Sequence, residues 1–417
     1  MALPATIKVV INFSDGPGYG YPFILNDPAA GVLGSGTLAS SATSGLIVDY
    51  SAQTTQIAIR RGRDLLTDTY NAGTSTVRIL DPDGDFNPQN TSSPIYGYLK
   101  PLRKIQISAT YGGTAYYLFS GYTSEYRYTY PTGQEIGYVT ITSYDAFKIF
   151  NLAAISTVTG AVNGQDTGTR LDKILDEINW PSSLRNIDIG DTICQADPAN
   201  SRVALSAMRT VELSELGAFY MAPDGVATFK SRSTTQESVF GTPTVFNQTT
   251  GIPYANLKFA FDDKLIINQA NMQRIGGTVQ SYTDATSVDT YFLHSTSAQN
   301  LLMQTDADVM SMAATYVSSR KDTSIRIDSM TLDLMTPNYT AGITAALDLD
   351  YFDVVTITNI QPNGDPITKT IQIQGVSHDI TANTWVSTFT TMEPITDPSF
   401  ILNNSTYGII GTSALGW

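Results

Sequence analysis

Two widely separated stretches of this chain read as the same three-strand pattern, and that repetition constrains the fold more than any other feature. Lys104-Ile-Gln-Ile-Ser, Phe119-Ser-Gly-Tyr-Thr-Ser124 and Tyr138-Val-Thr-Ile-Thr142 run beside Val355-Thr-Ile-Thr358, Ile373-Gln-Gly-Val-Ser-His378 and Trp385-Val-Ser-Thr-Phe389. Apolar and polar residues alternate with the period of two that a half-buried strand requires. In each copy the middle segment carries an apolar-x-Gly-apolar-Ser/Thr step, and a hairpin leads to the last strand. The similar spacing predicts two related β-barrels.

The rest of the chain divides around these copies. Residues 6–14 read as a strand broken at Asp15-Gly16-Pro17-Gly18, and 29–45 form a Gly/Ala/Ser/Thr-rich arm. Short strands are expected at 55–60, 75–80, 104–111, 116–121 and 138–143, with Gly112-Gly113 as a hairpin turn. Beyond Lys148 the period lengthens. Leu171, Ile174, Leu175 and Ile178 share one face of a helix over 169–180, ended by Pro181. A second helix over 202–217 presents Val203, Leu205, Met208, Val211 and Leu216, with Gly217 as its stop. Asp224-Gly225 then turns a hairpin between 219–221 and 227–230. Strands return at 265–267, 290–293, 325–332, 353–360, 370–375 and 384–390. One helix interrupts them at 305–318, with Ala307, Met310, Ala313, Ala314 and Val317 inward.

The expected fold is therefore mainly β with α+β insertions. Its parts are an N-terminal strand and arm (1–45), a first barrel (46–150), a mixed α/β domain (151–250), a second barrel with a helical insertion (251–395) and a C-terminal tag (396–417).

Composition narrows the function. Only 15% of the 417 residues are charged, so uncharged polar residues must cover much of the surface. Lys and Arg number 24 against 38 Asp and Glu, a net charge of −14 that opposes the phosphate neutralisation behind general DNA affinity. It suits simple solubility, or a surface that DNA passes without specific binding. Neither a membrane span nor a secretion signal is supported, because there is no 18-residue apolar run and no basic segment before an apolar core. Cys194 is alone, which excludes an intramolecular disulfide framework and a Cys-based zinc site.

Few residues offer catalytic chemistry, and neither an enzyme nor a cofactor is expected. The histidines are His294 and His378. Ser377-His378-Asp379 cannot converge as a triad on an extended strand, because neighbours alternate faces. Asp81-Pro-Asp83-Gly-Asp85 resembles the start of a calcium loop. Phe86 and Ser92 stand where that loop needs glycine and glutamate, leaving a tight acidic turn, with a weak cation site as the alternative. Tyrosines crowd 111–130. They can fill a barrel or an interface, or, through Tyr126, Tyr128 and Tyr130, form a sugar-binding platform.

The two ends of the chain echo each other. Phe23-Ile24-Leu25-Asn26 recurs as Phe400-Ile401-Leu402-Asn403, Gly31 and Gly34 as Gly408 and Gly411, and Leu38 as Leu415, at a constant offset of 377 with seven of sixteen positions identical. Tyr407 and Trp417 add aromatic weight to the second copy. Chain ends fray unless something ties them down, so both segments are expected to dock, either on their own barrels or on neighbouring subunits.

Val77-Arg-Ile-Leu-Asp81, Phe86-Asn-Pro88-Gln-Asn90, Tyr96-Gly-Tyr-Leu-Lys-Pro-Leu-Arg103 and Leu118-Phe-Ser-Gly-Tyr122 resemble minor tail proteins of long-tailed bacteriophages. So do Arg170 with Ile174-Leu175 and Trp180-Pro181, Leu216-Gly217-Ala-Phe-Tyr220 with Asp224-Gly225, Phe229 and Arg232, and the terminal Phe400-to-Trp417 segment. The likeness spans essentially the whole chain and is similar to the baseplate or tail-tip hub family. It implies a homotrimer whose six barrels adapt a sixfold tail-tube hexamer or distal tail protein to a threefold tip and line the DNA exit channel. It also implies contact with other tail-tip or fibre proteins, and a place in the virion tail after assembly in the bacterial cytoplasm. Two tags per chain would make six per trimer. The alternatives are a β-rich tail adhesin that binds a host-surface glycan and, least favoured, a hydrolase.

Overall fold

Alternating apolar residues shape most of this structure, a computed structural model that describes residues 3–14, 16, 46–64, 69–132, 136–238, 241–336 and 339–394. The arm at 29–45 lies outside the described residues. So do both terminal tags, with Phe23, Ile24, Leu25, Gly31, Gly34, Leu38, Phe400, Ile401, Leu402, Tyr407, Gly408, Gly411, Leu415 and Trp417.

The first β region contains β1 (Thr6–Asn12), β2 (Ile47–Asp49), β3 (Thr54–Asp64), β4 (Thr69–Tyr70), β5 (Thr74–Leu80), β6 (Lys104–Tyr111), β7 (Thr114–Thr129) and β8 (Tyr138–Tyr144). After α1 (Phe147–Phe150), the mixed region holds β9 (Ala154–Ile155), β10 (Gln165–Asp166), α2 (Thr167–Glu177), β11 (Arg185–Ile187), β12 (Ile193–Cys194) and β13 (Arg202–Val203). It continues with α3 (Ala204–Glu215), β14 (Ala218–Met221), β15 (Ala227–Lys230) and α4 (Arg232–Glu237). The second β region follows with β16 (Thr244–Asn247), β17 (Asn256–Ala260), β18 (Gln269–Arg274), β19 (Gln280–Thr283), α5 (Ala285–Tyr291), β20 (Ser295–Leu301) and α6 (Asp306–Ser318). The last elements are β21 (Arg326–Asp333), α7 (Thr340–Asp348), β22 (Val354–Asn359), β23 (Ile367–Thr381) and β24 (Trp385–Met392).

The protein is mainly β. Among the described residues fourteen strands join one sheet whose main path is β17-β21-β24-β23-β3-β5-β8-β7-β6-β1-β2. The repeated sequence pattern is a repeated structure. β6-β7-β8 and β22-β23-β24 are both antiparallel meanders, and their middle strands are 16 and 15 residues long. In both, the ladder from middle to last strand skips one residue, at Thr123/Glu125 and at Ile373/Gly375. Each meander extends into a four-strand unit, β3-β5-β8-β7 and β17-β21-β24-β23, and the two units meet through β23 and β3. At the β6–β7 hairpin, Gly112 and Gly113 both take positive φ, 57° and 85°, as the tight turn requires.

Several sequence expectations are corrected. Residues 265–267 are not a strand, although Ile266 is buried. Thr290 and Tyr291 end helix α5, because Asp284 caps its start by accepting from Ser287 N at 2.9 Å, and this local bond outweighs the strand preference of the following residues. Helix α6 buries Val309, Met312, Ala313 and Val317 and leaves Ala307 exposed. Its Thr305–Asp308 capping box fixes the helix start and hence which residues face inward. Leu216, with φ 56°, supplies the left-handed stop of α3. Gly217 is required for a different reason: a Cβ there would sit 2.6 Å from the Lys230 carbonyl oxygen.

Candidate functional site

Residues 56–62 of β3 pair antiparallel with 375–381 of β23, so the first and second β regions share one ladder. Gly62 and Gly375 face each other at one end. A Cβ on Gly62 would stand 3.0 Å from Gly375 Cα, closer than side chains normally approach backbone. Further along, Ile57 lies opposite Ile380 and Ile59 opposite His378, all four buried. Arg60 forks onto both Asp379 oxygens at 2.7 Å. That pair is half exposed, and such pairs contribute about 0–1 kcal/mol.

Beside this ladder lies a buried cluster that three parts of the chain build together. Arg61, next on β3, bridges Asp350 at 3.0 and 3.1 Å and lies over the Tyr351 ring, 4.9 Å from its centroid. Tyr70 of β4 packs against Tyr351 (5.0 Å) and against Tyr220 of β14 in the mixed region (5.4 Å). Its hydroxyl donates to Gln374 Oε1 at 2.8 Å. Arg209 of α3 donates to the Tyr70 carbonyl and bridges Glu212 at 2.6 Å. Asp145 accepts from Gly73 N at 2.5 Å and Phe147 N at 3.0 Å. Burial pushes its carboxyl up to about 7, against the pull of those N–H donors and of Arg61 and Arg209. Burial likewise raises the hydroxyls of Tyr70, Tyr220 and Tyr351, which keeps them neutral. This arrangement holds three segments in fixed relation and offers no exposed nucleophile. The sequence reading missed this cluster; Asp145, a lone acid in Tyr144-Asp145-Ala146-Phe147, is the one local signal that could have pointed to it.

No family model and no curated protein matches this chain in sequence. Solved structures do match. The 43 kDa tail protein of prophage MuSo2 from Shewanella oneidensis is similar with a TM-score of 0.51 at 13% identity, over 84% of this chain and 95% of that one. The tail protein from Neisseria meningitidis MC58 is similar with a TM-score of 0.54 at 10% identity, over 84% and 94%. The chain has the fold of a phage tail protein.

Within this tail-protein fold the chemistry-bearing residues are absorbed into structure. His378 Nδ1 meets Ser387 Oγ at 2.8 Å and Trp385 Nε1 donates to it at 3.5 Å, all buried. Burial, then Arg61 and Arg60, push its value down to about 3, so the ring is neutral. Asp379 turns away to Arg60, and Ser377 Oγ donates to the Thr388 carbonyl at 3.2 Å, so the three adjacent residues do not converge. His294 Nε2 contacts the Tyr291 carbonyl at 3.1 Å. In the acidic turn, Asp81 accepts from Asp85 N (2.8 Å), Phe86 N (3.1 Å) and the Tyr130 hydroxyl (2.5 Å), which consumes its carboxylate within the turn. No group of three or more metal-binding side chains occurs among the described residues. Tyr126 and Thr123 share a 2.9 Å hydroxyl contact, while the Tyr128 and Tyr130 rings lie 5.6 Å apart and exposed. Among the described residues no helix is long and apolar enough to cross a membrane.

Proposed function

We propose that this chain is the structural hub of a phage tail tip or baseplate, working as a homotrimer without catalytic turnover. One observation carries the reading: each chain contains two related four-strand units joined by its own β3–β23 ladder. Three chains bring six such units, each developing into a barrel. That number suits an adaptor between a sixfold tail tube or distal tail ring and a threefold tip. The net charge of −14 suits a channel wall along which DNA must slide without binding. The apolar tags Phe23–Leu38 and Phe400–Leu415 number six per trimer and would clip onto neighbouring subunits or rings, with fibre proteins attached beyond.

Mass measurement of the purified chain and symmetry assignment in electron micrographs of tails test the reading. A trimer is expected; a hexamer or a monomer within the tail refutes it. Deleting 396–417 should leave the β core folded and impair tail assembly, and normal tails from that truncation refute the docking role of the tag.

A further inference from the structure

The two four-strand units differ at one place, and the difference exposes two complementary edges. Setting Val77 opposite Ile141 onto Met330 opposite Phe389 superposes the β5–β8 and β21–β24 ladders, and buried Ile79 then falls on buried Leu332. On the next strand Val77 faces Ile57 of β3 while Met330 faces Leu257 of β17, so Leu257 takes the place of Ile57. Along β17, Phe259 follows Leu257 by two residues as Ile59 follows Ile57 along β3, while the ladder to β21 skips Asp328 after Lys258. On the other side Ile141 faces Tyr126 of β7 and Phe389 faces Val376 of β23. Tyr126, Tyr128 and Tyr130 therefore correspond to Val376, His378 and Ile380.

The burial of these counterparts differs sharply. Val376, His378 and Ile380 are at most 4% exposed because β3 lies alongside them with Ile57 and Ile59. Tyr128 and Tyr130 are 44% and 40% exposed, and among the described residues β7 beyond Tyr122 pairs only with β8. Phe259 is 38% exposed, and β17 pairs only with β21 among those residues. Each edge lacks the partner that the other can supply. A bare apolar edge invites indiscriminate pairing unless a charge guards it or a specific partner covers it. Lys258, at the middle of β17, is such a guard.

We propose that β17 of one copy of this chain pairs edge to edge with the outer part of β7 in a neighbouring copy, repeating between chains the antiparallel ladder that β3 and β23 form within one. The β3–β23 register transfers directly: Leu257 lies opposite Tyr130, Lys258 opposite Thr129 and Phe259 opposite Tyr128. The contact joins unlike surfaces head to tail, the kind that closes into a ring when the rotation allows. It rests on the trimeric reading above and names the residues that would make the trimer. It also accounts for the exposed tyrosine pair as an interface.

The full-length chain carrying both Tyr128→Cys and Phe259→Cys tests this. Directly opposed residues on paired strands bring their Cβ atoms to about 4.5–5.5 Å, and a small shift of that spacing accommodates a disulfide. The native Cys194 is buried. Mild oxidation should give covalent dimers and closed trimers on a non-reducing gel, while each single variant stays monomeric there. As a second measurement, Phe259→Asp alone and Tyr128→Asp alone should each abolish the trimer peak in light scattering with unchanged circular dichroism. A chain of trimer mass that neither cross-links nor dissociates in these variants overturns the inference and leaves the hub reading intact. A chain that is monomeric both in solution and in tails overturns both.

Discussion

Asp145→Asn offers a measurement in which two buried groups of opposite sign become separable. The native Asp145 carboxyl titrates near 7, against an ordinary value of 3.8. Unfolding at a pH between these values releases a proton, so this group makes the native state lose stability as pH rises from about 4 to 7 and adds nothing further above that. The gap of roughly 3 pH units corresponds to about 4 kcal/mol in all, for a group with no solvent to screen it. His378 acts the other way. Its value falls from 6.5 to about 3 on folding, so its contribution is complete above about pH 6.5 and is lost as pH falls toward 3. Each slope reaches about 1.4 kcal/mol per pH unit, and between about pH 4 and 6.5 the two cancel. In Asp145→Asn the histidine is left unopposed, and stability should climb by about 3 kcal/mol across that interval. Urea unfolding at stepped pH, followed by the fluorescence of Trp385 packed 6.3 Å from the His378 ring, reads both curves. A difference between variant and wild type that stays constant from about pH 4 to 7.5 would falsify the assignment of Asp145 as the buried acid.

Tyr70→Phe deletes the donor to Gln374 Oε1 in a residue whose Nε2 is already unpartnered, and should cost about 1–3 kcal/mol in urea with an unchanged denaturant slope. A loss below ~0.5 kcal/mol would mean that this hydrogen bond does not hold the junction. Gly375→Val places a Cβ 3.2 Å from the Arg61 carbonyl oxygen and from Gly62 Cα, and should cost about 1–3 kcal/mol of overpacking, with a wild-type melting temperature as the contrary result. Burial pushes the Cys194 thiol up to about 12, so a thiol reagent at neutral pH should label it only as fast as the chain opens; immediate labelling would contradict its burial.

Much of this architecture was legible because strand alternation and turn chemistry are local. Gly112-Gly113 specified a hairpin, and Leu171, Ile174 and Leu175 specified the buried face of α2. The duplicated meanders were visible for the same reason. Errors arose where one local signal competed with another. Around Thr290 a capping aspartate decided for helix, and in α6 alternating small and large apolar residues left two faces nearly equivalent until the capping box chose between them. The junction itself was not legible. Arg61 meets Asp350 and Tyr70 meets Gln374 across nearly the whole chain, and no periodicity within either segment encodes such a partner. The open edges of β7 and β17 were hidden too, since Tyr128 and Phe259 look like ordinary strand residues until their buried counterparts can be compared.

The β3–β23 ladder also sets a timetable for synthesis. Arg60 and His378 are 318 residues apart, so at bacterial elongation rates of about 5–20 residues per second the edge of β3 waits roughly 15–60 s for its partner to emerge. During that interval it is an open template for any other nascent strand. β3 carries Arg60 and Arg61 along the waiting segment, and charge on an edge is what discourages stray pairing. When β23 arrives, Asp379 takes Arg60, and Asp350 just before β22 takes Arg61. The side chains that keep the unfinished edge soluble are thus the ones that fasten it when the chain is complete.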